Sequence, residues 1–357
     1  MTKKQILAIF AGTFSLATGI FAARIFWFSP AAPEPLEVPV SPAEPQSVGN
    51  SGKRLSGPFT HKNLTFYLVH GENTLTGKTP LTLEEAMENN LVIVHETGEV
   101  NELAIENVSK NDEVFAQAGD IVKGGQQDRV LAVDLIVPAR SGRMPIDSFC
   151  VESERWTGRG RESMAQFNSS TEYVPSKDLK MAAKHSKSQS EVWDKVADSQ
   201  KKLSAATNSN TVSNVSRSSL PLTLENGKVR AEAEDYTKFL SDIVEHKSDI
   251  IGIVMVINGK INSADTYGSS ELFVKLWPKL LKAAAIEAVA DSPENSSQNA
   301  VALADIESFL ETAESAPVKE ERTITDRIHM VNRETEKSLF LTTLDRGIVL
   351  HKNYLMK

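Results

Sequence analysis

The chain has a single cysteine, Cys150, in 357 residues. One thiol makes no intramolecular disulfide and no cysteine-based zinc site. The seven histidines are scattered, with no HExxH or HxxxH pair to seat a transition metal, so no metal site is expected. Neither GxGxxG nor GxxxxGK(S/T) occurs, which removes the common phosphate-cradling loops, and no cofactor is expected. The GxSxG nucleophile elbow of an α/β-hydrolase is missing too. Positive charge is in deficit, 39 Lys and Arg against 47 Asp and Glu, for a net charge of -8. With no basic cluster interleaved with aromatics, this argues against a nucleic-acid partner.

What remains is a globular composition, long enough for one large domain or two small ones. Residues 1–28 stand apart as a signal peptide or N-terminal membrane anchor. Lys3 and Lys4 precede the apolar run ILAIFAGTFSLATGIFAA, and IFWF follows Arg24. Residues 5–28 are long enough to cross a bilayer, which takes about 20 residues. Trp27 would lie at the interface, and the two lysines would hold the N-terminus in the cytoplasm. Ala17-Thr18-Gly19 is a passable cleavage site. Anchored or cleaved, the body is expected outside the cytoplasm. Residues 29–57 form a Pro-rich linker, a semi-rigid spacer.

The main domain is expected over 58–290, with an acidic, flexible insertion at 291–321 and C-terminal strands at 322–357 completing it. LTFYLVHG reads as a strand, and Thr82-Leu83-Glu84-Glu85 as a capping box that opens a short helix. LVIVHET, VNELAIENV, EVFAQAGDIV, RVLAVDLIVPA and MPIDSFCVES alternate or run apolar and read as strands. The middle reads as helical: Ser188 with Glu191 caps one helix, and Tyr236, Phe239, Leu240, Ile243 and Val244 form the stripe of another over about 231–246. Asn258-Gly259 between two apolar runs predicts a type I′ hairpin. A long helix follows from about Ser270, with a kink or break expected at Pro278. The fold class is α+β: a β-rich, sandwich-like or half-barrel core with amphipathic helices packed on it.

Three blocks carry a resemblance: GDIVKGGQQDRVLAVDLIVPARS, CVESERW, and GIVMVINGKINSADTYGSSELFVKLWPKLLKAAAIEA. Over roughly residues 60–290 and the C-terminal strands, the chain resembles the ARG and rhodanese/phosphatase-superfamily-associated domain family. That family has a G-x-x-Q-x-R strand, a Cys-Val-Glu-x-x-Arg-Trp element, and a hairpin leading into a helix with Leu-Trp. Gly124, Gln127 and Arg129 match the first, and Cys150, Glu152, Arg155 and Trp156 the second. Glu154 stands where the family pattern has glycine. The resemblance implies a prokaryotic domain linked by gene association to processing of NAD-derived or ADP-ribose-type nucleotides.

The candidate site follows from these segments. Gly124 and Gly125 suit a bulge or turn with positive φ, or a close approach of backbone to ligand. Gln127 and Arg129 share a strand face and could grip a carboxylate or phosphate, with Arg155 beside them; the alternative is a buried pair of Arg129 with Glu152 or Asp128. Glu152 is the candidate base and Cys150 the candidate nucleophile, which would need His95, His185 or His246 brought up by the fold. Alternatively Cys150 is a buried small hydrophobe. Trp156 and Trp193 read as core anchors or ligand platforms, Trp277 as core, and Asp265 and Tyr267 as a polar strand end or a cleft lining. Three readings stay open: a membrane-anchored module binding a small polar or anionic ligand, a nucleotide-processing enzyme, and a structural or interaction module of the cell envelope, whose protein partners the residues do not name.

Overall fold

The computed structural model describes residues 46–47, 54–160, 162–292 and 300–357. They belong to one compact unit, Pro42–Lys357. The expected signal or anchor, 1–28, lies outside the described residues, as does most of the expected linker. Among the described residues no helix is long and apolar enough to cross a membrane.

The architecture is α+β. A nine-stranded antiparallel sheet runs, in spatial order, Gln46–Ser47, Arg54–His61, Leu64–His70, Ile250–Ile257, Lys260–Tyr267, Ile348–Met356, Ser338–Asp345, Ile328–Glu334 and Val318–Thr323. A six-stranded sheet runs Phe167–Tyr173, Asp120–Gly124, Arg129–Leu131, Arg143–Cys150, Glu102–Asn107 and Val92–Glu96. A three-stranded sheet, Leu135–Val137, Val114–Ala116 and Leu81–Thr82, completes the core.

The two long apolar runs each divide. EVFAQAGDIV becomes Val114–Ala116 in the small sheet and Asp120–Gly124 in the six-stranded one. RVLAVDLIVPA divides the same way into Arg129–Leu131 and Leu135–Val137. The breaks coincide, and a side chain ties them: the Asp134 carboxylate accepts the Ala118 backbone N–H at 2.8 Å. Gly119, at φ +106, turns the first break against the Tyr173 ring.

Helices cover these sheets. Gln189–Ala206 is capped by Ser188, and Leu83–Glu88 has the reciprocal Thr82/Glu85 capping box. Gly227–Leu240 continues into a 3₁₀ turn, Ser241–Val244, and buries Tyr236, Leu240 and Val244. Phe239, expected on the buried stripe, is 62% exposed and stacks on His61 at 4.2 Å. Ser270–Ala290 runs unbroken through Pro278 and buries Leu272, Phe273, Leu276, Trp277, Leu280 and Leu281. Proline removes one backbone bond, a cost of roughly 3 kcal/mol. Burying one large apolar side chain recovers about 1.5–3 kcal/mol, so six outweigh it. The Asn258-Gly259 turn has φ of +52 and +70, as type I′ requires. Within the expected insertion, Leu303–Ser315 is a helix and Val318–Thr323 an edge strand, while 293–299 lie outside the described residues. Arg54–His61 begins inside the expected linker.

Candidate functional site

The connection from Gly124 to Arg129 links two strands of the six-stranded sheet. Gly124 has φ +116 and Gly125 φ +54, and a side chain at Gly125 would run into the Phe167 ring and the Glu96 carboxylate. The turn folds back around Asp128, which accepts the Gly124 N–H at 3.0 Å. The loop after Cys150 then delivers two guanidinium groups. Arg159 grips Asp128 with two bonds of 2.7 and 2.6 Å. Arg155 holds Glu152 at 2.7 Å and donates to the carbonyls of Gly124 and Gly125 at 3.0 and 3.1 Å. Glu152 also accepts the Asp128 N–H at 3.0 Å and the Ser216 hydroxyl. Asp128 and Glu152 are fully buried. Burial pushes both carboxyls up. For Glu152 the bonds from Arg155 and Ser216 outweigh it and leave the group below its ordinary range; for Asp128 burial prevails over Arg159.

Arg129 points elsewhere. It is 1% exposed and donates to the Val100 carbonyl at 2.6 Å, to the Cys150 thiol, and to Glu96 at 3.3 Å. Its ion-pair partner is therefore Glu96, rather than Glu152 or Asp128. Cys150 is fully buried, and burial pushes its thiol up to about 11. The histidines considered for it are engaged or distant in role: His95 bonds Glu106, His185 bonds Asn332, and His246 is exposed. Gln127 is fully buried, and among the described residues neither its amide oxygen nor its nitrogen has a hydrogen-bond partner. Glu154 is exposed at φ +68, and the Arg155 partner is Glu152. Trp156 is 51% exposed instead of core, because it leaves the sheet on the arginine-bearing loop; Trp193 donates to the Glu152 carbonyl at 3.2 Å. Thus Glu152, Arg155, Gly124 and Gly125 meet around Asp128, whereas Arg129 and Cys150 meet around Glu96 and Val100.

A second constellation lies on the nine-stranded sheet. Cross-strand register aligns Asn332, Leu341, Asn353 and Asp265 in one row, and Met330, Thr343, His351 and Tyr267 in the next. Side chains two residues apart share a face, so both rows project to the same side. His351 sits between two carboxylates, 2.8 Å from Asp134 and 3.0 Å from Asp265. Thr343 donates to Asp134 at 2.7 Å and Asn353 to Asp265 at 2.8 Å. Tyr267 stacks on the His351 ring at 4.6 Å and accepts from Gln117 at 2.7 Å. All are buried. Burial lowers the affinity of the ring for its second proton, but Asp134 and Asp265 reverse this and the His351 pKa is raised. Burial likewise opposes ionisation of Asp265, yet His351 and the nearby lysines bring it down to about 2.

Beside this cluster the helix Lys177–Met181 passes into a π-helical turn, Ala182–Ser186. Such turns re-aim side chains and are frequent at functional sites. This one presents Lys184, 5% exposed, whose only hydrogen bond among the described residues runs 3.3 Å to the Asn353 side-chain oxygen. Burial lowers the Lys184 pKa. Lys184 also lines a cavity of ≈ 270 Å³. Ala132, Val133, Phe149 and Leu341 supply apolar wall, and Asn332 stands among the lining residues; its amide oxygen is buried and has no partner among the described residues. Two ion pairs flank the mouth, Arg322 with Asp147 at 2.6 Å and Lys187 with Glu320 at 2.8 Å. Sequence reasoning reached Asp265 and Tyr267 and missed the rest. The signal was a pair of polar residues two apart in the largely apolar strand IVLHKNYLM, His351 and Asn353. Among the described residues, no group of three or more His, Cys, Asp or Glu is placed to hold a metal ion.

Fold and site together define an α+β domain with a buried ionic interior and, beside it, a cavity of mixed polar and apolar lining. The family of the ARG and Rhodanese-Phosphatase-superfamily-associated Protein domain matches residues 52–354, and the chain belongs to that family. No curated protein and no solved structure matches it.

Proposed function

We propose that this domain binds a small polar or anionic ligand, and that the ligand occupies the cavity over Lys184. The observation that carries this reading is a nearly buried lysine with one hydrogen-bond acceptor among the described residues, lining an open cavity whose wall also includes Asn332. Buried polar groups left unsatisfied cost about 1–3 kcal/mol each, and a ligand that satisfies them recovers that cost. The Glu152–Arg155–Asp128–Arg159 network serves a different purpose in this reading. Its charges answer one another, so it fixes the Gly124–Arg129 turn and, through the next strand, the Phe149 side of the cavity. We further propose that residues 5–28 carry the domain outside the cytoplasm; its apolar length and preceding lysines support this. Protease digestion of the domain in spheroplasts, without lysis, tests the placement.

A thermal-shift panel of small carboxylates, sugar acids, inorganic phosphate, ADP-ribose and NAD tests the ligand reading. A ligand at 100 times its dissociation constant adds about 2.7 kcal/mol of stability. The shift should vanish in Asn332→Ala and Lys184→Met. A flat panel, or a shift that survives both substitutions, would remove the cavity from consideration.

A further inference from the structure

The amine of Lys184 is unusually placed for a binding group. An ammonium has three N–H donors and wants three acceptors. Among the described residues Lys184 has one, the Asn353 amide oxygen. Among the described residues no ion pair joins Lys184 to a carboxylate: Asp134 holds His351, Thr343 and the Ala118 N–H, and Asp265 holds His351 and Asn353 through one oxygen. Burial lowers the Lys184 pKa against the pull of Asp134 and Asp265, so the uncharged amine is reached more readily here than on an exposed lysine. An uncharged amine has a lone pair, which makes it a nucleophile toward carbonyl carbon. The side chain lines the cavity and ends against Asn353, the cross-strand neighbour of the wall residue Leu341.

The mouth of the cavity selects for a second group. Arg322 and Lys187 stand there in half-exposed ion pairs. Pairs of that kind contribute about 0–1 kcal/mol, so exchanging Asp147 or Glu320 for a ligand carboxylate costs little. Arginine offers a planar fork suited to that group.

We propose that Lys184 forms a reversible imine with a small oxo acid, an aldehyde or ketone bearing a carboxylate, held in this cavity. This rests on the binding reading above. The Lys184 nitrogen adds to the carbonyl carbon, and the oxygen takes a proton to give a carbinolamine. The C–O bond then breaks, and the oxygen leaves as water with both protons that the amine has lost. A C=N bond remains, with no net oxidation or reduction.

The test incubates the full chain, in mild detergent, with glyoxylate and cyanoborohydride, then maps the modified peptide. Reduction of the imine leaves a carboxymethyl group on the lysine. The expected result is a label on Lys184, lost entirely in Lys184→Arg and suppressed by excess lactate, which has the carboxylate and lacks the carbonyl. Mapping in the unsubstituted chain needs no variant to fold. A label scattered over exposed lysines, or none, while lactate still raises the melting temperature, overturns the imine and leaves the binding reading standing. No label and no shift with glyoxylate, pyruvate or lactate overturns both.

Discussion

Arg159→Ala should be the most informative single change in the arginine-bearing loop. Asp128 is fully buried, and Arg159 supplies its only bidentate partner. Removing one member of a buried pair leaves an uncompensated charge and costs about 3–5 kcal/mol. The low end applies here, because Ser219 at 2.7 Å and the Gly124 N–H at 3.0 Å still hold the carboxylate. A loss of about 3 kcal/mol lowers the melting temperature of a chain this long by roughly 6 °C. The loss should also depend on pH. Asp128 already has a raised pKa, and losing the guanidinium raises it further. A carboxyl whose folded pKa exceeds its unfolded value stabilises the fold below the unfolded value, and that stability fades as pH rises through the folded one. The gap between variant and parent should therefore narrow from pH 7 toward pH 5. Adding Asp128→Asn should recover most of it at pH 7. Urea titrations followed by circular dichroism at both pH values measure this. A loss below about 1 kcal/mol at pH 7, or one of equal size at pH 5, would refute the account of a closed, charge-balanced network.

Two further outcomes follow from the same segment. Cys150, fully buried with its thiol raised to about 11, should leave a disulfide reagent such as DTNB unreacted until denaturant is added; rapid reaction of the native chain would mean an accessible thiolate. Glu154→Gly should stabilise the domain by about 1 kcal/mol, because Glu154 is exposed in the left-handed region, where a side chain costs roughly that much. A lower melting temperature in that variant would point to a contact made by the glutamate.

Local chemistry was legible wherever a few neighbouring residues decide the outcome. Asn258-Gly259 announces its hairpin, and Thr82 and Ser188 announce their helices, whereas the kink or break expected at Pro278 gives way to one helix, carried through by the apolar stripe after Ser270. Legibility failed where pairing over long separations decides. Nothing local says that EVFAQAGDIV must divide, since the break depends on Asp134 reaching Ala118 and His351 at once. Phe167–Tyr173 is polar in sequence, FNSSTEY, yet is a strand because Asp120–Gly124 offers it an edge. In the candidate site, the residue types around Gly124–Arg129 were readable, but their partners were not. Arg159, which closes the network, lies outside all three quoted blocks. The cavity was invisible for the same reason, since its walls come from residues near 101, 132, 184 and 332.

The strand Ile348–Met356 is made after every other element described, yet it lies inside the nine-stranded sheet, between Lys260–Tyr267 and Ser338–Asp345. It is a keystone rather than an edge. Until it arrives, Lys260–Tyr267 has an open flank, and the last three strands before it form a separate ribbon. It also brings His351 and Asn353, so the ionic interior cannot be neutralised earlier. Such long-range closure slows folding and prolongs the exposure of unpaired strand edges. During synthesis the domain is thus a chain waiting for its final strand, and deleting residues 348–357 would remove the joint of the sheet together with the floor of its polar interior.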